Sequence, residues 1–249
     1  MSISKGIALI TGSAQGLGRG IALRLAKDGY DIALNDTPSK YNQLRGLADD
    51  IDKSGRKALV LPADVTVEEQ VKGMVQEVST KLGGLDVMVA NAGVVQISPL
   101  LSTELKDWDR VMTINIRGSF LCYKYAAEQM VKQGRGGRII GASSLAGKEG
   151  YPVLSAYCAS KFAVKGLTQA AALELGRYGI TVNAYAPGII ATPMSKRLCE
   201  GARHRVEGRP VKHVGQPEDV ASIVSYLVSK EAHFITGQTI SVDGGIAMS

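Results

Sequence analysis

A phenol and an ammonium four residues apart form the pair in this sequence whose types and spacing suit proton transfer. Tyr157 and Lys161 bound the run Tyr157-Cys158-Ala159-Ser160-Lys161. On a helix, residues four apart share one face, so the two groups can act together. A free phenol has a pKa of ~10, too high to exchange protons readily near neutrality. A neighbouring cation favours the phenolate. Lowering that pKa by about 2 units takes about 2.7 kcal/mol, within reach of one close, partly desolvated ammonium. A Tyr-x-x-x-Lys pair alone is common on helix surfaces, so its meaning depends on what surrounds it. Ser144, thirteen residues before Tyr157, offers a hydroxyl.

A second set of residues suits an anion. Thr11-Gly12-Ser13-Ala14-Gln15-Gly16-Leu17-Gly18 follows a short apolar run and opens an amphipathic stretch. Such a loop lets backbone approach a pyrophosphate, whose charge is stabilised by exposed N–H groups and the helix dipole. The glycine spacing is x3 then x1, unlike the general G-x-G-x-x-G fingerprint. Gly12, Gln15, Gly16, Leu17 and Gly18 are therefore candidate cofactor contacts.

Asp36 ends the second apolar run, eighteen residues beyond Gly18. A carboxylate there can accept both ribose hydroxyls of NAD and repels the 2′-phosphate of NADP. Thr37 and Gln15 supply no cation for that phosphate, and Arg19 is the nearby candidate. Asp64-Val65 and Asn91-Ala92-Gly93 follow the third and fourth runs, at strand ends where open α/β sheets bind ligands. Asp64 is placed to take an adenine amino group and Asn91 to brace the loop. Gly93 permits close approach of the backbone.

These residues need a frame. Runs rich in Ile, Val, Leu and Ala lie at 7–10, 31–35, 57–61, 85–90, 138–142, 180–185 and 238–242. Helix-length amphipathic stretches lie near 17–28, 40–54, 67–82, 104–133, 154–178 and 217–229. Continuously apolar strands imply burial on both faces, and the helices supply the crossovers of a parallel sheet. The expectation is a single α/β domain over 1–249, a doubly wound, Rossmann-like, seven-stranded parallel sheet with helices on both faces. The stretch 187–216 breaks the alternation and is expected to be a substrate lid.

Composition excludes several classes. No apolar run approaches the ~18 residues of a membrane span. The net charge of +6 is scattered apart from Lys196, Arg197, Arg203, Arg205, Arg209 and Lys212, which lack interleaved aromatics. A nucleic-acid surface is not expected. Cys122, Cys158 and Cys199 have neither disulfide-framework nor zinc spacing, so they read as structural thiols, and no metal is expected. Met1–Lys5 is too short for a signal peptide, and a cytoplasmic enzyme is expected.

Thr11-Gly12-x3-Gly16-x-Gly18, Asn91-Ala92-Gly93, Asn115, Ser144, Tyr157-x3-Lys161 and Pro187-Gly188, in this order and spacing, resemble the short-chain dehydrogenase/reductase family along essentially the whole chain. Ala90 stands where many members carry a first Asn. The resemblance implies that Tyr157 is the general acid/base and that Ser144 holds the carbonyl oxygen. It implies that Lys161 binds the nicotinamide ribose and lowers the Tyr157 pKa, and that Asn115 holds a water linking Lys161 to solvent. Ser143 is the rival to Ser144, but only Ser144 has the family spacing. Pro187-Gly188-Ile189-Ile190-Ala191-Thr192 is implied to wrap the carboxamide through Ile190 and Thr192. A homotetramer is implied as well, with 104–133 and 154–178 packing across interfaces, although their apolar faces could be covered within a monomer.

Within the family, 151–157, 161–172 and 182–189 look like diacetyl/acetoin reductases, also called 2,3-butanediol dehydrogenases. Leu145, Tyr151, Val94 and Val95 are then expected to line a small apolar pocket. The alternatives are a polyol or ketose dehydrogenase, a 3-oxoacyl-carrier-protein reductase, or a dinucleotide-sensing protein without turnover. Asp36 speaks against the carrier-protein reductase, and the intact Asn115, Ser144, Tyr157 and Lys161 speak against the sensor.

Overall fold

Strand and helix alternate along the computed structural model, which describes residues 4–195 and 210–247. The elements are β1 (Ile7–Ile10), α1 (Gly16–Asp28), β2 (Asp31–Asp36), α2 (Tyr41–Lys53), β3 (Ala58–Pro62), α3 (Glu68–Leu82) and β4 (Val87–Ala90). They continue with α4 (Leu105–Met112), α5 (Gly118–Gln133), β5 (Gly137–Ala142), α6 (Ser155–Leu175), β6 (Ile180–Pro187), α7 (Pro217–Val228) and β7 (Thr239–Val242). The strands form one sheet in the order β3-β2-β1-β4-β5-β6-β7. Every pairing is parallel. The order reverses between β1 and β4, and a ligand crevice opens at the carboxyl ends of strands beside such a switch.

The period-2 alternation of strand side chains builds two cores. Ala8, Ile10, Ile32 and Leu34 pack with Ile21, Leu25, Leu44 and Val224 from α1, α2 and α7. Ile7, Leu9, Ala33 and Met88 pack with Val71, Val75, Leu121 and Ala126 from α3 and α5. Burial on both faces explains why these strands read as continuous apolar runs.

The stretch expected as one helix over 104–133 carries a π-helical turn, Thr113–Arg117, between α4 and α5. A single wide turn leaves the amphipathic pattern almost unchanged, so the sequence does not reveal it. Such turns are frequent at functional sites, and Asn115 sits in this one. The α6 helix stops at Leu175 and a 3₁₀ turn, Gly176–Tyr178, completes the stretch. At the expected lid, Ile190 and Gly215 form a parallel bridge, and the Ala191 amide donates to the Gly215 carbonyl at 2.8 Å. The central part of that stretch, with Cys199 and most of the basic cluster, lies outside the described residues. Among the described residues no helix is long and apolar enough to cross a membrane.

Candidate active site

A cavity of about 830 Å³ runs along the carboxyl edge of the sheet. One end is shaped by the loop after β1. Gly12 has φ +64, and a Cβ there would lie 2.9 Å from the Ala92 Cα. A Cβ on Gly93 would lie 3.2 Å from Asn115 Oδ1 and 3.4 Å from Lys161 Nζ. A side chain is excluded at Gly12 and tightly confined at Gly93. With Gln15, Gly16 and Leu17 opening α1 beside it, this cradle fits a pyrophosphate-bridged dinucleotide.

Asp36, at the end of β2, also faces the cavity. Its Oδ2 accepts from the Ala14 amide at 3.1 Å and its Oδ1 from the Thr37 amide at 2.8 Å. Each carboxylate oxygen keeps capacity for a further hydrogen bond. Arg19, the candidate for a 2′-phosphate, instead pairs with Asp50 at 3.0 Å. Asp64 lines the cavity while its Oδ1 accepts from the Thr66 amide and hydroxyl at 2.9 and 2.8 Å.

Asn91 braces the loops. Its Nδ2 donates to the Thr11 and Gly12 carbonyls at 2.8 and 3.2 Å, and its Oδ1 accepts from Tyr185 at 2.8 Å. Gly18 differs from expectation: it does not border the cavity. A Cβ there would collide with the Gly12 carbonyl and lie 2.7 Å from Asn91 Nδ2, so Gly18 lets α1 close onto the loop.

The cavity also holds Tyr157, Lys161 and Ser144. Tyr157 lies in the first turn of α6 and Lys161 one turn later, so they share a face as the spacing predicts. Lys161 is buried, with Nζ 5.4 Å from the Tyr157 ring centroid and donating to the Ala142 carbonyl at 2.9 Å. Burial lowers its pKa to about 8. Tyr157 hydrogen-bonds with Ser144, a contact that lowers its pKa, but burial outweighs it and the phenol stands above its ordinary value. Lys161 lies over the face of the Tyr157 ring and gives its hydrogen bond to Ala142.

The two adjacent serines have separate tasks. Ser143 is buried and donates to the Lys161 carbonyl at 3.1 Å. Ser144 keeps its hydroxyl at Tyr157 and the cavity, and its Oγ accepts from the Ala146 amide at 3.1 Å.

Asn115 lies behind Gly93 rather than on the cavity wall. Its Oδ1 accepts from the Val94 amide at 2.8 Å and its Nδ2 donates to the Val94 carbonyl at 2.9 Å. Val65, Ala92, Pro187, Gly188, Ile190 and Thr192, expected as cofactor contacts, and Val94, Val95, Leu145 and Tyr151, expected around the substrate, all line the cavity. Lys106, Asp109, Arg110 and Thr113 line it too and were not anticipated. The helical spacing of Lys106, Asp109 and Arg110 gives α4 a polar face, which in sequence looks the same as a solvated one.

Comparison with known proteins agrees with this geometry. The family model described as enoyl-(acyl carrier protein) reductase matches residues 12–247. A short-chain dehydrogenase/reductase of Hericium erinaceus, eriH, is 49% identical, covering 97% of this chain and 98% of its own. The L-2,3-butanediol dehydrogenase of Corynebacterium glutamicum is 41% identical, covering 96% and 98%. The 3-oxoacyl-[acyl-carrier-protein] reductase FabG of Staphylococcus aureus is 40% identical, covering 97% and 98%.

Among solved structures, the acetoin dehydrogenase YohF of Salmonella typhimurium superposes with a TM-score of 0.88 at 36% identity, covering 96% and 95%. A blue fluorescent protein from a metagenomic library, in complex with NADPH, superposes at 0.92 with 34% identity, covering 99% and 100%. The chain therefore belongs to the short-chain dehydrogenase/reductase family, as an oxidoreductase that acts on CH–OH donors with a nicotinamide dinucleotide.

Proposed function

We propose that this enzyme interconverts a small ketone and its secondary alcohol with NAD(H), the substrates being diacetyl, acetoin and 2,3-butanediol. The observation that carries this reading is the surroundings of the Ser144–Tyr157 hydroxyl pair. The cavity that holds the pair is also lined by Val94, Val95, Leu145 and Leu154, beside the polar Lys106, Asp109 and Arg110 of α4. The apolar side chains suit a short uncharged diketone better than a polyol, which needs more hydrogen-bonding side chains. The likeness to a butanediol dehydrogenase and an acetoin dehydrogenase supports the same choice.

When bound, the dinucleotide carries the hydride. The chain supplies orientation and the proton. Ser144 hydrogen-bonds the substrate oxygen and sets its distance from Tyr157. The phenol, kept protonated by burial, gives its proton to that oxygen in the reductive direction and takes it back in the oxidative one. Lys161 binds the ribose hydroxyls near Tyr157, and Asn115 holds Gly93 and Val94 against it. Gly12, Gln15, Gly16 and Leu17 hold the pyrophosphate, and Asp36 accepts the adenine ribose hydroxyls. Ile190 and Thr192 flank the carboxamide.

A 3-oxoacyl thioester on an acidic carrier is the second reading. It is favoured by Lys106 and Arg110 on the cavity rim and by the likeness to FabG. Exposed Phe120, Phe162 and Leu173 on α5 and α6 support a homotetramer, checked by sedimentation velocity. The free thiols Cys122 and Cys158 suit a cytoplasmic setting.

The test is loss of NADH or NADPH absorbance with diacetyl, acetoin, a ketose and an acetoacetyl thioester. Diacetyl or acetoin with NADH should turn over fastest. Turnover of the ketose or thioester alone would move the substrate assignment and leave the catalytic scheme standing.

A further inference from the structure

Ser160 is fully buried, lies between Tyr157 and Lys161 on α6, and faces away from the cavity. Its hydroxyl donates to the Tyr157 carbonyl at 2.7 Å and accepts from Asn115 Nδ2 at 3.0 Å. Asn115 grips Val94 through both ends of its carboxamide, at 2.8 and 2.9 Å. One unbroken chain of hydrogen bonds therefore runs from the loop after β4, through the π-helical turn, to the backbone of the tyrosine. It spans three segments that are distant in sequence and each of which meets the cavity.

We propose that Ser160 is a positioning residue for proton transfer, setting the placement of Tyr157 relative to Asn115 and the Gly93–Val94 loop. The proposal rests on the reading of Tyr157 as the acid/base. Both Asn115 Nδ2 hydrogens are used, one on Val94 and one on Ser160, so the serine oxygen completes the carboxamide's donor set. Without it, a buried N–H loses its acceptor. The first turn of α6 then loses its side-chain tether to the π-helical turn.

A hydroxyl back-bonded to the carbonyl three residues earlier also fixes the local helix geometry, here the turn that aims the phenol at Ser144. An error of about 1 Å in such an aim is enough to cost ~100-fold in rate. The titratable groups around Tyr157 are Lys161 and Cys158 on α6 and Tyr185 on β6. Ser160 carries no charge and acts on them through geometry alone.

The test compares Ser160→Ala, Ser160→Cys and Ser160→Thr with wild type and Tyr157→Phe. Cysteine is close in size to serine but a weak donor and acceptor, and it serves if alanine fails to fold. Alanine and cysteine should lower kcat at least ~10-fold while the ketone KM stays within about 3-fold. In alcohol oxidation their kcat–pH limb should move to higher pH by about half a unit or more, as the phenol loses its placement beside Ser144. Threonine, which keeps the hydroxyl, should restore both readouts. Superimposable pH profiles with kcat within about 2-fold in the folded alanine or cysteine variant would overturn the proposal, as would threonine behaving like alanine. Full turnover by Tyr157→Phe would instead overturn the acid/base reading on which the proposal rests.

Discussion

Lys161 donates a 2.9 Å hydrogen bond to the carbonyl of Ala142, the last residue of β5. That contact ties α6 to the strand that delivers Ser144 two residues later, fixing the serine, the tyrosine and the lysine in one frame. It also keeps an amine in an environment where burial lowers its pKa to about 8.

The buried amine carries a stability consequence. Between about 8 and the ordinary 10.5, the unfolded chain binds the proton that the folded protein releases, so this group's contribution to stability rises with pH across that window. Below the window the folded protein bears a buried cation. Lys161→Met should therefore abolish turnover yet raise stability at pH 7 by about 1–2 kcal/mol, after allowing for the lost Ala142 bond. The gain should shrink as pH approaches 10.5. Thermal unfolding of both proteins at pH 7 and pH 10 checks this, and a methionine variant less stable than wild type at pH 7 would refute it.

In the proposed function Asp36 selects NAD(H). Its oxygens are held by the Ala14 and Thr37 amides, so the carboxylate is fixed before any ribose arrives. Wild type should prefer NADH to NADPH by at least ~10-fold in kcat/KM, the size of one to two kcal/mol of charge repulsion. Asp36→Ala combined with Thr37→Arg should reverse the preference. Steady-state kinetics with both cofactors decides the point, and an NADPH preference in wild type would contradict the role given to Asp36.

Val153 occupies a left-handed conformation, φ +61, in the turn Tyr151-Pro152-Val153-Leu154, which the Leu154 amide closes onto the Tyr151 carbonyl at 3.3 Å. A positive φ at the third position of such a turn favours glycine or asparagine, and a β-branched residue there is strained by about 1–3 kcal/mol. The Val153 carbonyl also accepts from the Ser98 amide at 2.9 Å, joining two loops at the cavity mouth. Val153→Gly should keep that backbone bond and raise Tm by about 2–4 °C. A fall in Tm of that size would show that the valine side chain contributes more than the strain removes.

The alternating elements, the doubly wound parallel sheet, and the cavity-facing residues of the loops after β1, β4 and β6 were legible because each rests on local periodicity or on a motif at a strand end. The packing role of Gly18 was not legible, because a glycine needed for helix–loop closure and one needed for ligand approach look alike in sequence. The π-helical turn at Asn115 and the polar face of α4 were invisible for a related reason: both preserve ordinary helical spacing. The burial that raises Tyr157 and lowers Lys161 depends on β5, β6 and the loop after β4 closing around α6, which no spacing within 157–161 encodes.

The central claim is that Tyr157 exchanges the proton, and Tyr157→Phe tests it most directly. Phenylalanine keeps the ring against Lys161 and removes only the hydroxyl. The variant should bind NADH with a Kd within about 3-fold of wild type, read by fluorescence titration, while kcat for diacetyl falls by at least ~100-fold. Retained turnover with unchanged NADH binding would contradict the claim and place the proton donor elsewhere in the cavity.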